Sequence, residues 1–409
     1  MIVRRRLKVA IIRVRNVVLL PWAALFVALT RVLRPFVLIR LHRVPAQRIG
    51  HFAANIELYL CERDHGINRP ANAWRDVSYY IGAVSNSQLA EMWERTLRIW
   101  PEWLFYPVDW LNRRVPGGPA HDAGDNTQHD RDVHNLLERT PPHLSFTDDE
   151  EARGMAGLRA LGIPDGAEFV CFAARDSAYL QQAADAHDFA YHDYRNVDIA
   201  HYVQAAEAVG NLGPYVIRMG SVVRAPLLSS HPKVIDYATS GQRTDFMDIY
   251  LGAKCLFCLS CGTGIDAVPV IFRRPGAFVN FVPIGYLMTS LPGTVAISKH
   301  LWLTTESRRL TLTETFEYGV GFSLRASEYA ARHIRVIENT PEEITEVATE
   351  MLLRLKGGWQ PADGDEELQQ RFWSLYPLDS KTPNGRPLHG AARARVGAAF
   401  LRENTDWLQ

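Results

Sequence analysis

The segment from Cys255 to Pro275 concentrates residues suited to holding an anion. Ser260-Cys-Gly-Thr-Gly264 follows an apolar run, and its small side chains let successive backbone N–H groups approach a phosphate. A helix expected from about Ile265 adds the positive end of its dipole. A Gly-Thr-Gly turn by itself also serves as a tight turn and nothing more. Its weight comes from company. Arg175-Asp176 follows the apolar run 169–174, Arg218-Met-Gly220 closes the run from Tyr215, and Gly50-His51 follows the first strand region. Ligands of open parallel sheets collect at the carboxyl ends of the strands, so residues in these places can meet in space.

Arg175, Asp176, Arg218 and Gly220, with Ser260, Gly262, Thr263 and Gly264, therefore make an expected diphosphate site, in which arginines offer paired N–H donors. Each arginine taken alone fits a structural ion pair equally well. Arg195 and Asn196 end the polar and aromatic segment Tyr191-His-Asp-Tyr-Arg-Asn196, which suits ring stacking or a sugar hydroxyl. Simple helix capping by Asn196 or Asp198 is the other account. His51 has the right chemistry for a base that deprotonates an acceptor hydroxyl, with Glu57 the next candidate; a capping or core histidine remains the alternative. No paired His/Cys metal spacing, no Lys-Ser/Thr after a glycine loop and no Gly-x-Ser-x-Gly occurs, which argues against P-loop and α/β-hydrolase chemistry.

Alternating strand and helix patterns must position these residues. Strands are expected at 36–41, 76–81, 103–108, 169–174, 215–219, 233–237, 255–259 and 276–282. Helices are expected near 52–62, 88–100, 147–161, 198–212, 244–252 and after Thr340. The stretch 116–132, rich in Gly, Pro, Asp and His, reads as a loop or linker. The fold class is α/β with two Rossmann-like halves. The divisions expected are a basic segment 1–35, an acceptor-side domain 36–135, a nucleotide-sugar domain 136–380 and a terminal helix in 381–409.

The formal net charge is zero, yet residues 1–50 hold ten Arg, one Lys and no acid. Residues 17–29 form an apolar run of about 20 Å at helical rise, short of the roughly 30 Å hydrocarbon core. A helix lying in the membrane interface fits best, with a spanning helix and a plain core helix as alternatives. Five cysteines are too few for a secreted disulfide framework, and Cys255 and Cys258, read as members of one strand, are expected to face opposite sides as buried small hydrophobes.

Several of these motifs together resemble a bacterial family of surface-polysaccharide glycosyltransferases with a GT-B-like fold. They are Arg48-Ile-Gly-His51 with Asn55 and Glu57, Arg175-Asp-Ser-Ala-Tyr179, Tyr194-Arg-Asn196, Val216-Ile-Arg-Met-Gly220, Asp245-Phe-Met-Asp248, the turn 260–269 and Val279-Asn280. The resemblance runs from about residue 36 to the C-terminus, including a last helix at 389–401. More distantly, the arginine after a strand and the later Ser/Gly turn are similar to the sugar-nucleotide sites of fucosyltransferases, though Ala173-Ala174 and Cys261 depart from that pattern. The resemblance implies a nucleotide sugar as donor and a lipid-linked or glycan acceptor. The basic front segment adds an anionic membrane surface at the cytoplasmic face of the inner membrane as the expected location, and no cofactor, metal or nucleic acid is expected. An epimerase of the same fold and a non-catalytic polysaccharide-assembly protein are the other readings. The first has no use for a membrane segment, and the second none for a phosphate nest.

Overall fold

The computed structural model describes residues 14–125, 131–175 and 190–409. The chain divides into two compact units, residues 1–130 and 131–409. The division falls a few residues before the expected 135, and the last helix expected at 389–401 is found only at Ala398–Glu403.

The first unit is built on a parallel sheet of order β3-β2-β1-β4, formed by β1 (Leu38–Pro45), β2 (Trp74–Ile81), β3 (Ile99–Trp100) and β4 (Asp122–Asp125). Helix α1 (Leu20–Leu33) precedes the sheet, α2 (Ile49–Asp64) joins β1 to β2, and α3 (Ser87–Thr96) leads to β3. Residues 102–112, taken from sequence as containing a strand, are a helix, α4 (Glu102–Asn112). The reason is tertiary: Phe105 and Val108, three apart, turn one helical face into a cluster with Ala23, Val27, Leu41 and Tyr79, and that burial outweighs the β-propensity of the aromatic run. Strand β4 lies in the stretch read as a loop. Its composition is polar, but it is defined by parallel pairing to β1. Residues 126–130 fall outside the described residues.

In the second unit α5 (Asp148–Ala160) starts at a capping box in which Thr147 and Glu150 satisfy each other's backbone N–H groups. A seven-stranded sheet follows: β5 (Phe169–Ala173), β6 (Tyr215–Arg218), β7 (Val234–Ile235), β8 (Cys258–Ser260), β9 (Gly276–Phe281) and β10 (Val295–Ser298), with β14 (Arg395–Val396) at one edge. Three further strands, β11 (His300–Leu303), β12 (Arg308–Arg309) and β13 (Ile334–Ile337), form a small antiparallel sheet. The large sheet is parallel throughout, in the order β14-β10-β9-β8-β5-β6-β7. Every residue of β5, β8, β9 and β10 is buried, which is why β5, β8 and β9 lie in apolar runs of the sequence; β10 is not among the strands expected.

The chain starts at β5 in the middle, steps out to β6 and β7, then returns to β8 on the other side of β5 and steps out again. The gap between the carboxyl ends of β5 and β8 is therefore the topological switch point, where the connections leave in opposite directions and open a crevice. Helices α6 (Val203–Asn211), α7 (Asp245–Lys254) and the short α8 (Ala267–Ile271) make connections of this sheet.

Candidate functional site

At the switch point β5 and β8 pair through Ala173 and Ser260, so Arg175 and the turn 260–264 leave the sheet side by side. The Arg175 amide donates to Cys261 Sγ at 3.2 Å, and the Arg175 carbonyl accepts the amide of Val197 at 2.9 Å. That second bond brings residues 195–197 back to the strand ends. The Arg195 guanidinium donates to the Gly262 carbonyl, and its buried Nε has no partner among the described residues. Lys299, one residue past β10 and 5 % exposed, donates from Nζ to the Asn196 carbonyl at 2.6 Å. Burial lowers its pKa, while Glu338 and Cys261 nearby act in the opposite direction. Cys261 is thus ringed by the Arg175 backbone, Arg195 and Lys299; burial pushes its thiol up and these groups pull it back.

The turn itself differs from the expected cradle. Helix α8 begins at Ala267 and has five residues, so it brings little dipole to the turn. Asp266, 3 % exposed, caps it and fills the inside of the turn. Its carboxylate accepts the Ser260 hydroxyl at 2.8 Å and draws on the amides of Thr263 and Ala267. Ser260 is fully buried, Thr263 half-buried and Gly264 exposed. Backbone donors that sequence reading offered to a ligand are thus partly used within the protein. Burial pushes the Asp266 carboxyl up to about 6, against the pull of Ser260, Thr263 and Arg195.

Positive charge from side chains therefore replaces backbone N–H groups as the main anion-attracting feature. Arg195 and Lys299 supply it, and Arg175 joins them through its backbone. Lys299 escaped the sequence reading because 295–298 was not recognised as a strand; with that strand in place, the rule that selected Arg175 selects Lys299 too. Asp266 was also passed over, although an Asp at the start of a helix is a capping signal.

Arg218 goes elsewhere. It closes β6 but is 1 % exposed, and its guanidinium donates to the Ala225 carbonyl at 2.7 Å and reaches Asp236 at 3.4 Å. These contacts tie down the connection from β6 to β7, away from the turn at β8. At Gly220 a Cβ would stand 2.7 Å from Val223, so the glycine serves the close packing of the same connection. Asn196 is brought to the cluster through its backbone; its side chain donates to Asp193 at 2.9 Å. Asp176 lies outside the described residues. Asn280 is locked in an exchange with Asn339, each amide N–H donating to the other's side-chain carbonyl at 2.5 and 2.6 Å.

The three cysteines near the turn are sorted otherwise than expected. Strand β8 begins only at Cys258, so Cys255 precedes it and lies with Cys258 and Cys171 in one buried cluster, while Cys261 belongs to the opposite layer. All five cysteines are buried, and none of them forms a disulfide.

In the first unit His51 sits in the first turn of α2, beyond the carboxyl end of β1, rather than on the turn before the helix. It is half-buried, with Nδ1 3.4 Å from Asn55 Oδ1 one turn on. Glu57 is fully buried on the same helix, its Oε1 accepting the Cys61 thiol at 3.8 Å. Of the two candidate bases, His51 is the one with solvent access.

A cavity of about 390 Å³ opens at the other end of the second sheet, where Pro275 precedes β9 and Pro292 precedes β10. Its arginines are engaged. Arg273 donates to the Thr140 and Pro141 carbonyls at 2.9 and 3.1 Å, and Arg274 to the Ala253 carbonyl at 2.8 Å. These bonds fasten loops, and the switch point remains the better candidate.

No family model matches the sequence, and no curated protein does. Among solved structures the chain is similar to a glycosyl transferase of family 9 from Veillonella parvula, at 10 % identity and a TM-score of 0.43 over 77 % of this chain and 97 % of that one. It is also similar to the ADP-heptose LPS heptosyltransferase II of E. coli, at 12 % identity and a TM-score of 0.40 over 78 % of this chain and all of that one.

Proposed function

We propose that the chain is a GT-B-like glycosyltransferase with two Rossmann-like units, moving a sugar from a nucleotide diphosphate donor to a lipid-linked or surface-polysaccharide acceptor. The observation that carries this reading is the gathering of the Arg195 and Lys299 side chains around the Arg175 backbone at the switch point between β5 and β8; we take the Arg175 guanidinium as the third cation. In the reaction the bond from the anomeric carbon to the diphosphate breaks, and its electron pair leaves with the diphosphate. The acceptor hydroxyl oxygen takes its place at that carbon, and the hydroxyl proton passes to a base. Three cations set in a partly desolvated crevice stabilise the charge that grows on the leaving diphosphate, the role a divalent metal fills in other designs. His51 is our proposed base, its ring held by Asn55.

The reading is tested by thermal shift with ADP, UDP, GDP, CDP and dTDP, because a ligand that binds only the native state must raise the melting temperature. ADP belongs in the panel because an ADP-sugar is named for one of the similar structures. A stabilising diphosphate, followed by turnover of the matching sugar nucleotide in excess EDTA, supports metal-independent transfer. His51→Ala is then expected to lower turnover by roughly 10²–10⁴-fold with donor affinity unchanged. If no nucleoside diphosphate shifts the melt, the assignment of the cluster is wrong; an active His51→Ala enzyme moves the base elsewhere.

A further inference from the structure

Helix α1 has two apolar faces with different fates. One is part of the first unit's core: Ala23 and Val27 are buried against Phe105 and Val108, Trp22 Nε1 donates to the Leu104 carbonyl at 3.3 Å, and Arg31 donates to Asn112 at 2.7 Å. The other faces outward. Val14, Val18, Leu25, Leu29, Val32 and Phe36 are 47–78 % exposed. Leu25, Leu29 and Val32, four and three residues apart within α1, share one side, and Val14, Val18 and Phe36 lie in the segments that flank the helix. Pro21, Ala24 and Ala28 of α1 are exposed and apolar as well. A face of this length with no polar group is not the scattered surface apolarity normal in soluble proteins.

The surrounding charge identifies the occupant. In the sequence before the helix stand Arg4, Arg5, Arg6, Lys8, Arg13 and Arg15, the exposed Arg34 follows it, and residues 1–50 contain no acid. A second copy meeting this face would set like charge against like. A bilayer with anionic headgroups complements both the apolar face and its basic ends.

We propose that the outward face of α1 is a membrane-seating surface that holds the first unit on an anionic bilayer with the helix lying in the interface. The opposite face fixes the depth. Spanning would strip Ala23 and Val27 from the core, and among the described residues no helix is long and apolar enough to cross a membrane. This inference stands independently of the donor site.

The test is co-sedimentation of the full chain with phosphatidylcholine vesicles, with and without phosphatidylglycerol. Binding is expected with phosphatidylglycerol and weaker in high salt. Replacing Leu25, Leu29 and Val32 together by Gln is expected to lower the bound fraction roughly tenfold or more, because the lost term is apolar insertion. The melting temperature should not change, since all three side chains are exposed. A polarity-sensitive fluorophore on Val32→Cys should shift to the blue on vesicles, while the same label on Leu228→Cys, exposed in the other unit, should not. The proposal is overturned if the wild type binds neither vesicle or if the Gln variant binds as well as wild type. It is also overturned if the Gln substitutions only convert a dimer to a monomer, which would assign the face to a second copy.

Discussion

Two neighbouring strands of the second sheet end in arginine-bearing segments, and the two ends behave differently. At β5, Arg175 emerges at the switch point beside Arg195 and Lys299, around a turn contributed by β8. At β6, next to β5 in the sheet, Arg218 is sealed at 1 % exposure between Ala225 and Asp236. Both arginines satisfy the rule that ligands lie at carboxyl ends. Connections from β6 continue in the same direction to β7 and close over the strand end, whereas those of β5 and β8 diverge. The arginine in the closed place fastens one connection, whereas Arg195 and Lys299 in the open place are held on backbone carbonyls beside the crevice.

The sharpest break of this comparison is Arg218→Ala. Removing one partner of a buried pair leaves Asp236 and the Ala225 carbonyl short of a donor, and a loss of about 3–5 kcal/mol is expected in urea unfolding. Nucleotide affinity of the folded fraction should not change. A stable Arg218→Ala protein that no longer binds nucleotide would return Arg218 to the site and erase the contrast.

Asp266 sharpens the comparison from the other side, because it marks where the open strand end spends its own donors. Its carboxyl, 3.8 when unperturbed, is raised to about 6 by burial. The native state therefore binds this proton more tightly than the unfolded chain does. The stabilisation it brings is complete below pH 3.8 and is lost as pH rises through about 6. The stability of wild type minus that of Asp266→Asn should accordingly fall by roughly 3 kcal/mol across that window and be flat above it. A difference independent of pH would show that Asp266 titrates as it does in the unfolded chain, and the turn would then carry a negative charge from about pH 4 upward.

Binding by the open end is tested by Arg195→Ala and Lys299→Ala. Each removes a charge-assisted contact worth roughly 1.5–3 kcal/mol, a 10- to 150-fold loss of nucleoside diphosphate affinity by calorimetry. The parent nucleoside, lacking the diphosphate, should be affected little. Equal losses for nucleoside and diphosphate would mean that these cations shape the crevice without facing the phosphates.

The sequence shows the central strands best because they are buried on both sides: 169–173 and 276–281 stand out as apolar runs bounded by turn residues, whereas 295–298 and 395–396 pass unrecognised. It shows less where identity depends on partners. Residues 102–112 are aromatic and contain Pro107, which favours a strand or a break until the partner surface of α1 is known. Residues 122–125 are too polar to announce a strand that exists through pairing with β1. For the site, Arg175 and the Ser260 turn were visible because they follow obvious strands. Whether a guanidinium turns toward the crevice or toward a neighbouring loop, as at Arg218, is decided by the distant Ala225 and Asp236, which no local pattern specifies.

The smallest expected effect distinguishes the turn's shape from its charge. Gly262 has φ of +78°, a left-handed conformation that costs a residue with a Cβ roughly 1–2 kcal/mol, and a Cβ there would stand 3.1 Å from the Phe281 ring. Gly262→Ala should therefore lower stability by about that amount, visible as a modest fall in melting temperature. The Gly262 carbonyl also accepts the Arg195 guanidinium, so a shift of the turn moves that cation as well. If the turn is the wall against which the diphosphate lies, affinity should fall beyond the stability loss, and the excess should vanish in the Arg195→Ala background. An additive double mutant would separate the two, leaving Gly262 to shape the chain and Arg195 alone to meet the ligand.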